Sequence, residues 1–242
     1  MAACRLPPSR ARIQYRPVNE GKPLIIAIDG PSGVGKGTVA RAVARELGYR
    51  HVDTGAMYRA VGWLALHEGV PFEDEAAVTA LADRARFDLE GDRVVIDGHD
   101  VTQAIRTPEI DRAATMVARL SRVRERLVAR QRELGAGGGV VMEGRDIGTV
   151  VFPDADLKIF LDASPEERAR RRASDPAHGG GAASLAAVAR QLEARDTSDR
   201  TRAASPLVRA HDAALVDTTG VPIEEVLRRV RALVDQRRLR SL

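Results

Sequence analysis

A chain of 242 residues, 44% of them hydrophobic, can bury a sizeable core as one α/β domain with insertions or as two small domains, which excludes disorder throughout. Lys and Arg exceed Asp and Glu only by 38 to 34, and aromatic residues make up 3%, so neither a polyanion-binding surface nor a stacking platform for unpaired bases is indicated. The lone Cys4 excludes an internal disulfide and a thiolate zinc cluster, and no apolar run reaches the about 18 residues of a membrane span, so a cytoplasmic protein without a membrane partner is expected.

Residues 1–23 carry Pro7, Pro8, Pro17 and Pro23 with several arginines and no sustained period, and read as a flexible leader. The folded unit is then 24–242. Leu24-Ile25-Ile26-Ala27-Ile28 predicts a strand. Gly30-Pro31-Ser32-Gly33-Val34-Gly35-Lys36-Gly37-Thr38 follows it, and Val39, Val43 and Leu47 repeat at helical spacing up to a terminating Gly48. Strand, glycine loop and helix together form a phosphate grip, in which backbone N–H groups and the helix N-terminus face a polyphosphate and Lys36 supplies a mobile charge. A nucleoside triphosphate is the expected ligand. The usual Gly-x-x-x-x-Gly-Lys pattern is completed by Ser or Thr, whereas Gly37 stands there and the hydroxyl is delayed to Thr38, so the customary direct metal ligand is missing.

Further strands are expected at Arg50–Val52, Gly139–Met142, Leu157–Leu161 and Ala214–Asp217, alternating with helices as in a parallel sheet that binds ligands at its carboxyl edge. Between about 86 and 107, Arg93 to Val101 with an Asp97-Gly98 turn reads as a small hairpin in an inserted lobe. The run from Gly135 to Gly139 delivers the chain into a buried strand. Asp175 to Ala183, with Gly179-Gly180-Gly181, is either a hinge for a mobile flap or a plain surface loop, and a helix begun by Ser184 carries Leu185, Val188 and Leu192. The last helix sets Ile223, Val226, Leu227, Val230, Leu233 and Val234 on one face, with Pro222 near its start and its arginines in solvent.

Four clusters bring arginine together with carboxylate or hydroxyl: Asp53 to Arg59, Arg122 to Glu125, Glu143 to Thr149 and Arg195 to Arg202. Arginine forks suit phosphate oxygens and aspartates suit sugar hydroxyls or a base amino group; each pair taken singly is more often an ordinary salt bridge, and it is their recurrence at strand ends that shifts the balance. His51, His67, His99, His178 and His211 are scattered and read as core or solvated residues rather than catalysts.

From about Leu24 to Val234 the sequence resembles bacterial-type cytidylate kinases of the P-loop nucleoside monophosphate kinase family. The resemblance is carried by Ile28–Thr38, by Asp53–Arg59, by Glu143–Ser164 and by Arg195-Asp196 with Asp199 and Arg202. It implies an α/β P-loop kinase core with a central parallel sheet and crossover helices. A nucleotide-binding lobe with a small antiparallel sheet would be inserted at about 53–134, and a mobile lid would span about 168–202. The activity implied is transfer of the γ-phosphoryl group of ATP to CMP or dCMP with Mg2+, by a monomer with no nucleic-acid partner.

By the same resemblance, Gly30 to Thr38 form the ATP site, Lys36 bridges donor and transferred phosphoryl, and Gly37 is a family feature. Asp53, Thr54, Tyr58 and Arg59 correspond to acceptor-lobe residues, and Thr115, Arg124 and Asp146 to the positions that recognise cytosine. Arg59, Arg145 and Arg202 are candidates for the acceptor phosphate, Arg195 with Asp199 for ribose and lid contacts, and Arg171 for a lid arginine that screens charge. Lys36, Arg145, Arg171, Arg195 and Arg202 are thus the candidate catalytic groups. No side chain is assigned as a direct metal ligand, and Glu143 would orient a magnesium-bound water. No general base is required, because an acceptor phosphate with a second pKa of about 6 is mostly ionised near neutrality. The rival readings are a kinase for UMP, AMP or a non-nucleotide acceptor, and a P-loop ATPase stimulated by polynucleotide.

Overall fold

The computed structural model describes residues 23–175 and 184–239. In chain order it begins with β1 (Ile25–Asp29), α1 (Lys36–Leu47), β2 (Arg50–Asp53), α2 (Thr54–His67) and α3 (Glu75–Arg84). A small sheet of β3 (Phe87–Glu90), β4 (Arg93–Ile96) and β5 (His99–Asp100) leads to α4 (Pro108–Val117) and α5 (Ser121–Gly135). The chain then returns through β6 (Val140–Gly144), β7 (Leu157–Asp162), α6 (Pro165–Ala173), α7 (Leu185–Thr201), β8 (Ala214–Asp217) and α8 (Ile223–Leu239).

Continuous apolar runs make the central strands, as burial on both faces requires. Ile26, Ala27 and Ile28 have no exposed surface, and β1 lies between β6 and β7 in an all-parallel sheet of order β2-β6-β1-β7-β8. One face packs Ile26 and Ile28 against Val39 and Val43 of α1 and Val226, Val230 and Val234 of α8. The other packs Ala27, Val52, Val140 and Met142 against Val128 of α5. The sheet order reverses direction at β1, and such a switch point opens a crevice at the carboxyl edge. Register places Ile28 and Asp53 both beside Glu143, and Asp29 beside Gly144, so the functional strand ends share that edge.

All five expected parallel strands are present. The inserted sheet differs from the expected hairpin by a third strand, β3, whose Phe87 and Leu89 alternate with exposed Asp88 and Glu90 and pack on the hydrophobic cluster of α2. The β4–β5 turn is the expected one, with Asp97 and Gly98 at φ 48° and 84°, the paired left-handed residues of a two-residue hairpin loop. Gly48 caps α1 in a left-handed conformation, as its position forecasts. The leader up to residue 22 and the triple glycine lie outside the described residues.

Candidate active site

The loop leaving β1 is held down by its first glycine. Gly30 has φ 148°, and a Cβ there would lie 2.1 Å from the Leu161 carbonyl oxygen, so only glycine lets the loop cross β7 this closely. Val34 is buried in the core beneath, and its carbonyl accepts a hydrogen bond from Thr218. Above it, Lys36 is buried and its Nζ donates to the Pro31 carbonyl at 2.7 Å, which folds the side chain back over the loop. Burial, then the Arg145 guanidinium nearby, pushes the Lys36 ammonium down to about 7.

Helix α1 begins differently from its neighbours. Asp53, Asp74, Thr107, Ser164 and Ser184 cap α2, α3, α4, α6 and α7 through their side chains, and α5, which also lacks a side-chain cap, has its Arg122 N–H donating to Glu75 Oε1 at 2.9 Å, whereas α1 starts at Gly35 with no side-chain cap and no acidic residue in its first turn. Its leading N–H groups and the positive end of its dipole remain available for an anion.

A cavity of about 410 Å³ extends from this helix end. Ser32, Gly33, Gly35, Lys36, Gly37 and Thr38 form its floor, and nine arginines face five carboxylates around its walls. Even with every carboxylate engaged, the cavity is cationic, as binding of several phosphate groups demands. Gly30, Pro31 and Val34 support the loop from below rather than lining the cavity.

The carboxyl ends of β2 and β6 supply the next shell of polar groups. Asp53 caps α2 by accepting the Ala56 N–H at 3.0 Å and receives Arg59 at 2.8 Å. Burial pushes the Asp53 carboxyl up, but Arg59 and that N–H outweigh it and hold the group below its ordinary range. Thr54 donates to the Glu143 carbonyl at 2.7 Å, joining α2 to β6. Asp146 is 5% exposed and pairs with Arg124 of α5 at 2.5 Å, with Arg202 at 3.6 Å on its other oxygen. Arg124 lies over the Tyr58 ring, 5.3 Å from its centroid, and burial pushes the Tyr58 hydroxyl up to about 12. Thr115, donating to the Asp111 carbonyl at 2.9 Å, completes this end of the cavity.

Helix α7 contributes Arg195, Asp199 and Arg202, the last two against Arg145 and Asp146. Asp199 accepts Arg145 Nε at 2.8 Å and lies 3.7 Å from Arg202 Nη1. Burial would raise the Asp199 carboxyl, but Arg145 and Arg195 prevail and lower it. Burial and then Arg145 lower the Arg195 guanidinium, while burial and then Arg124 lower that of Arg202. Arg171 also lines the cavity, yet its guanidinium is committed elsewhere, donating to Thr218 Oγ1 at 2.9 Å and to the Thr218 carbonyl at 2.6 Å.

Several contributors carry no local signal in the sequence. Asp29 accepts the N–H groups of Ile147 and Gly148 at 2.9 and 2.7 Å, anchoring a wide i to i+5 turn directly after Asp146. Arg168 pairs with Asp196 and donates to the Ser32 carbonyl at 3.3 Å, linking α6, α7 and the glycine loop. Asp111 joins Arg172 and Arg195. His51 is neither solvated nor a simple core residue, since its Nε2 meets Glu143 Oε1 at 2.9 Å. No described helix is long and apolar enough to cross a membrane.

An uncapped helix after a glycine loop, sharing one cavity with nine arginines, defines a P-loop phosphotransferase of the kinase class. Comparison with known proteins narrows this: the family model for cytidylate kinase matches residues 26–236. A cytidylate kinase of Desulfitobacterium hafniense (strain Y51) is 52% identical over 219 residues, covering 89% of this chain and 94% of the relative. Others from Pelotomaculum thermopropionicum and Bacillus licheniformis are 51% and 47% identical, covering 86% and 89% of this chain and 95% and 98% of theirs. The chain belongs to the cytidylate kinase family.

Proposed function

We propose that the protein transfers the γ-phosphoryl group of ATP to CMP or dCMP, giving ADP and CDP or dCDP, and that it acts on free nucleotides as a monomer. One observation carries the reading: the buried Asp146 and Arg124 stand together in the same cavity that the uncapped start of α1 lines. A carboxylate accepts from the N4 amino group of cytosine, and a guanidinium donates to its ring acceptors, a pairing that uracil with its O4 acceptor does not match.

In this reading the glycine loop and α1 bind the triphosphate while Lys36 swings from Pro31 to the oxygens between donor and transferred phosphoryl. Arg59, Arg145, Arg195 and Arg202 receive the acceptor phosphate, each exchanging part of its bond to Asp53, Asp199, Asp111 or Asp146 for phosphate oxygens. Asp199, held by Arg145, faces the ribose. An acceptor phosphate oxygen attacks the γ-phosphorus, the bond from that phosphorus to the β–γ bridging oxygen breaks, and ADP leaves. Positioning and charge screening accomplish this, with no proton abstraction by a side chain. The arm of α6 and α7 acts as the lid, bringing Arg195, Asp199 and Arg202 to the acceptor and excluding water.

Magnesium fits the residues present. No three metal-ligating side chains converge among the described residues, but Glu143 Oε1 lies 3.3 Å from where a Cβ of Gly37 would be, over the position at which a hydroxyl ligand usually stands. One carboxylate beside nucleotide oxygens and waters is the donor set magnesium accepts, with Glu143 and Thr38 as the groups toward it. When bound, it would screen the β- and γ-phosphate oxygens.

An ADP-coupled assay with CMP, dCMP, UMP, AMP and RNA tests the function. Turnover should require CMP or dCMP, and ADP release driven by RNA or by AMP would refute it.

A further inference from the structure

Glu143 is surrounded by cations that could claim it. Lys36 and Arg145 act on one another and on this carboxylate through space, and Arg41 Nη1 approaches the same point above Gly37 as Glu143 Oε1, at 3.4 Å from a Cβ placed there. Were Glu143 to pair with Lys36, both groups would be withdrawn from the polyphosphate. Instead Lys36 donates to the Pro31 carbonyl and the Glu143 side chain is bonded by His51 of β2, Nε2 to Oε1 at 2.9 Å. The two side chains are 7% and 9% exposed, so water does little to loosen the bond.

The imidazole confines its hydrogen bonding among the described residues to one partner. Its Nδ1 is buried with no hydrogen-bond partner among the described residues, so the ring's one hydrogen bond there is with Glu143, and Asp53 feels the ring only through space. The backbone of Glu143 is fixed independently, by the β-ladder to β2 and by Thr54 at its carbonyl. What His51 adds is the direction of the carboxylate alone.

We propose that His51 is a positioning residue that turns the Glu143 carboxylate away from Lys36 and toward the nucleotide-bound cation over Gly37. This rests on the reading that Glu143 faces magnesium, and it adds a residue whose spacing in the sequence, 92 positions away, offers no hint of the role. Partners that orient a metal-facing group typically contribute about 10–100-fold in metal affinity.

The test compares His51→Leu, which removes the donor, His51→Gln, whose amide reaches about as far as Nε2, and His51→Asn, which is polar but too short. Binding of a nonhydrolysable ATP analogue is measured by calorimetry with and without Mg2+, alongside kcat and the KM values for ATP and CMP. His51→Leu and His51→Asn should lose about 10–100-fold of the Mg2+-dependent gain in analogue affinity. Their Mg2+-free affinity and CMP KM should stay within about threefold of wild type, and His51→Gln should recover most of the loss. If His51→Leu fails to fold, the contrast of Gln with Asn decides the matter alone. An undiminished Mg2+-dependent gain in the Asn variant, or an equal loss with and without Mg2+, overturns the proposal. Glu143→Gln separates the two readings: loss of the gain there but not in the His51 variants refutes only His51, and retention of the gain in Glu143→Gln refutes both.

Discussion

Arg195 of α7 donates to Asp111 of α4 at 3.2 Å, and the same carboxylate also binds Arg172 at the end of α6. One aspartate of the inserted lobe thus joins both helices of the opposite arm. Asp111→Asn leaves two partly buried guanidiniums short of charge, which should destabilise the protein alone by about 1–3 kcal/mol. CMP with a nonhydrolysable ATP analogue supplies new anionic oxygens, so the Tm difference between variant and wild type should shrink when both are bound. A difference that stays constant on ligation would show that Asp111 only braces the fold.

Lys36 gives a pH signature with a definite sign. Its pKa is about 7 in the folded protein against 10.5 for an ordinary lysine, burial being the main cause and Arg145 the next. A polyphosphate beside the ammonium raises it again, so ATP binding at pH 8 should take up protons and weaken as the pH climbs from 7 to 10. Calorimetry in two buffers of different ionisation enthalpy measures the uptake, which should vanish in Lys36→Met. For folding the sign is opposite: the unfolded chain holds this proton between pH 7 and 10.5, so Lys36's contribution to stability rises with pH across that window. Lys36→Met should therefore raise Tm at pH 7 while slowing transfer by at least about 100-fold.

Asp29 behaves in the contrary direction. Burial raises its carboxyl to about 6 from 3.8, against the two N–H bonds from Gly148 and Ile147, with Asp146 adding to the rise and Lys36 opposing it. The folded state then holds a proton that the unfolded state has released, and this group's contribution to stability falls as pH rises from about 4 to 6. Asp29→Asn removes that slope and leaves one of the two N–H groups without a good acceptor, costing about 1–3 kcal/mol. Urea unfolding of both proteins from pH 4 to 7 checks it: the wild-type advantage should narrow with rising pH, and a parallel pair of curves would contradict the assignment.

What the sequence discloses here follows from the range of the interaction. The glycine loop, its Lys36, the five apolar strands and the Asp97-Gly98 turn are local patterns whose chemistry is complete within a few residues. Strand β3 escaped because Phe87 and Leu89 are only half buried, and four residues of alternation are too short to stand out beside the helices that flank them. The ties of Asp29 to Ile147, His51 to Glu143 and Arg168 to Asp196 span 118, 92 and 28 positions, and no residue pattern announces them before the strands are in register. The arginines were legible as a population, but their division of labour was not. Arg171, expected as a lid arginine that screens charge, lines the cavity and donates to Thr218, while Arg172 beside it reaches Asp111.

Asp146 offers the sharpest test of substrate choice, because the geometry constrains how it can be changed. It is buried against Arg124 at 2.5 Å and 3.6 Å from Arg202, so truncation would strand two cations, whereas Asp146→Asn keeps the volume and one acceptor oxygen. Cytosine presents an amino donor where uracil presents an acceptor, and the carboxylate attracts the first and repels the second. The amide can turn either its oxygen or its nitrogen to the base, and Thr115 and Arg124 still line the same end of the cavity. Discrimination should therefore fall while binding survives, the ratio of kcat/KM for CMP to that for UMP dropping by about 1–3 kcal/mol, or roughly 5- to 150-fold. Arg124, released from a full ion pair, then becomes the principal reader of the base, so Arg124→Met in the Asp146→Asn background should erase the remaining preference. An unchanged CMP-to-UMP ratio in folded Asp146→Asn would place the base elsewhere in the cavity.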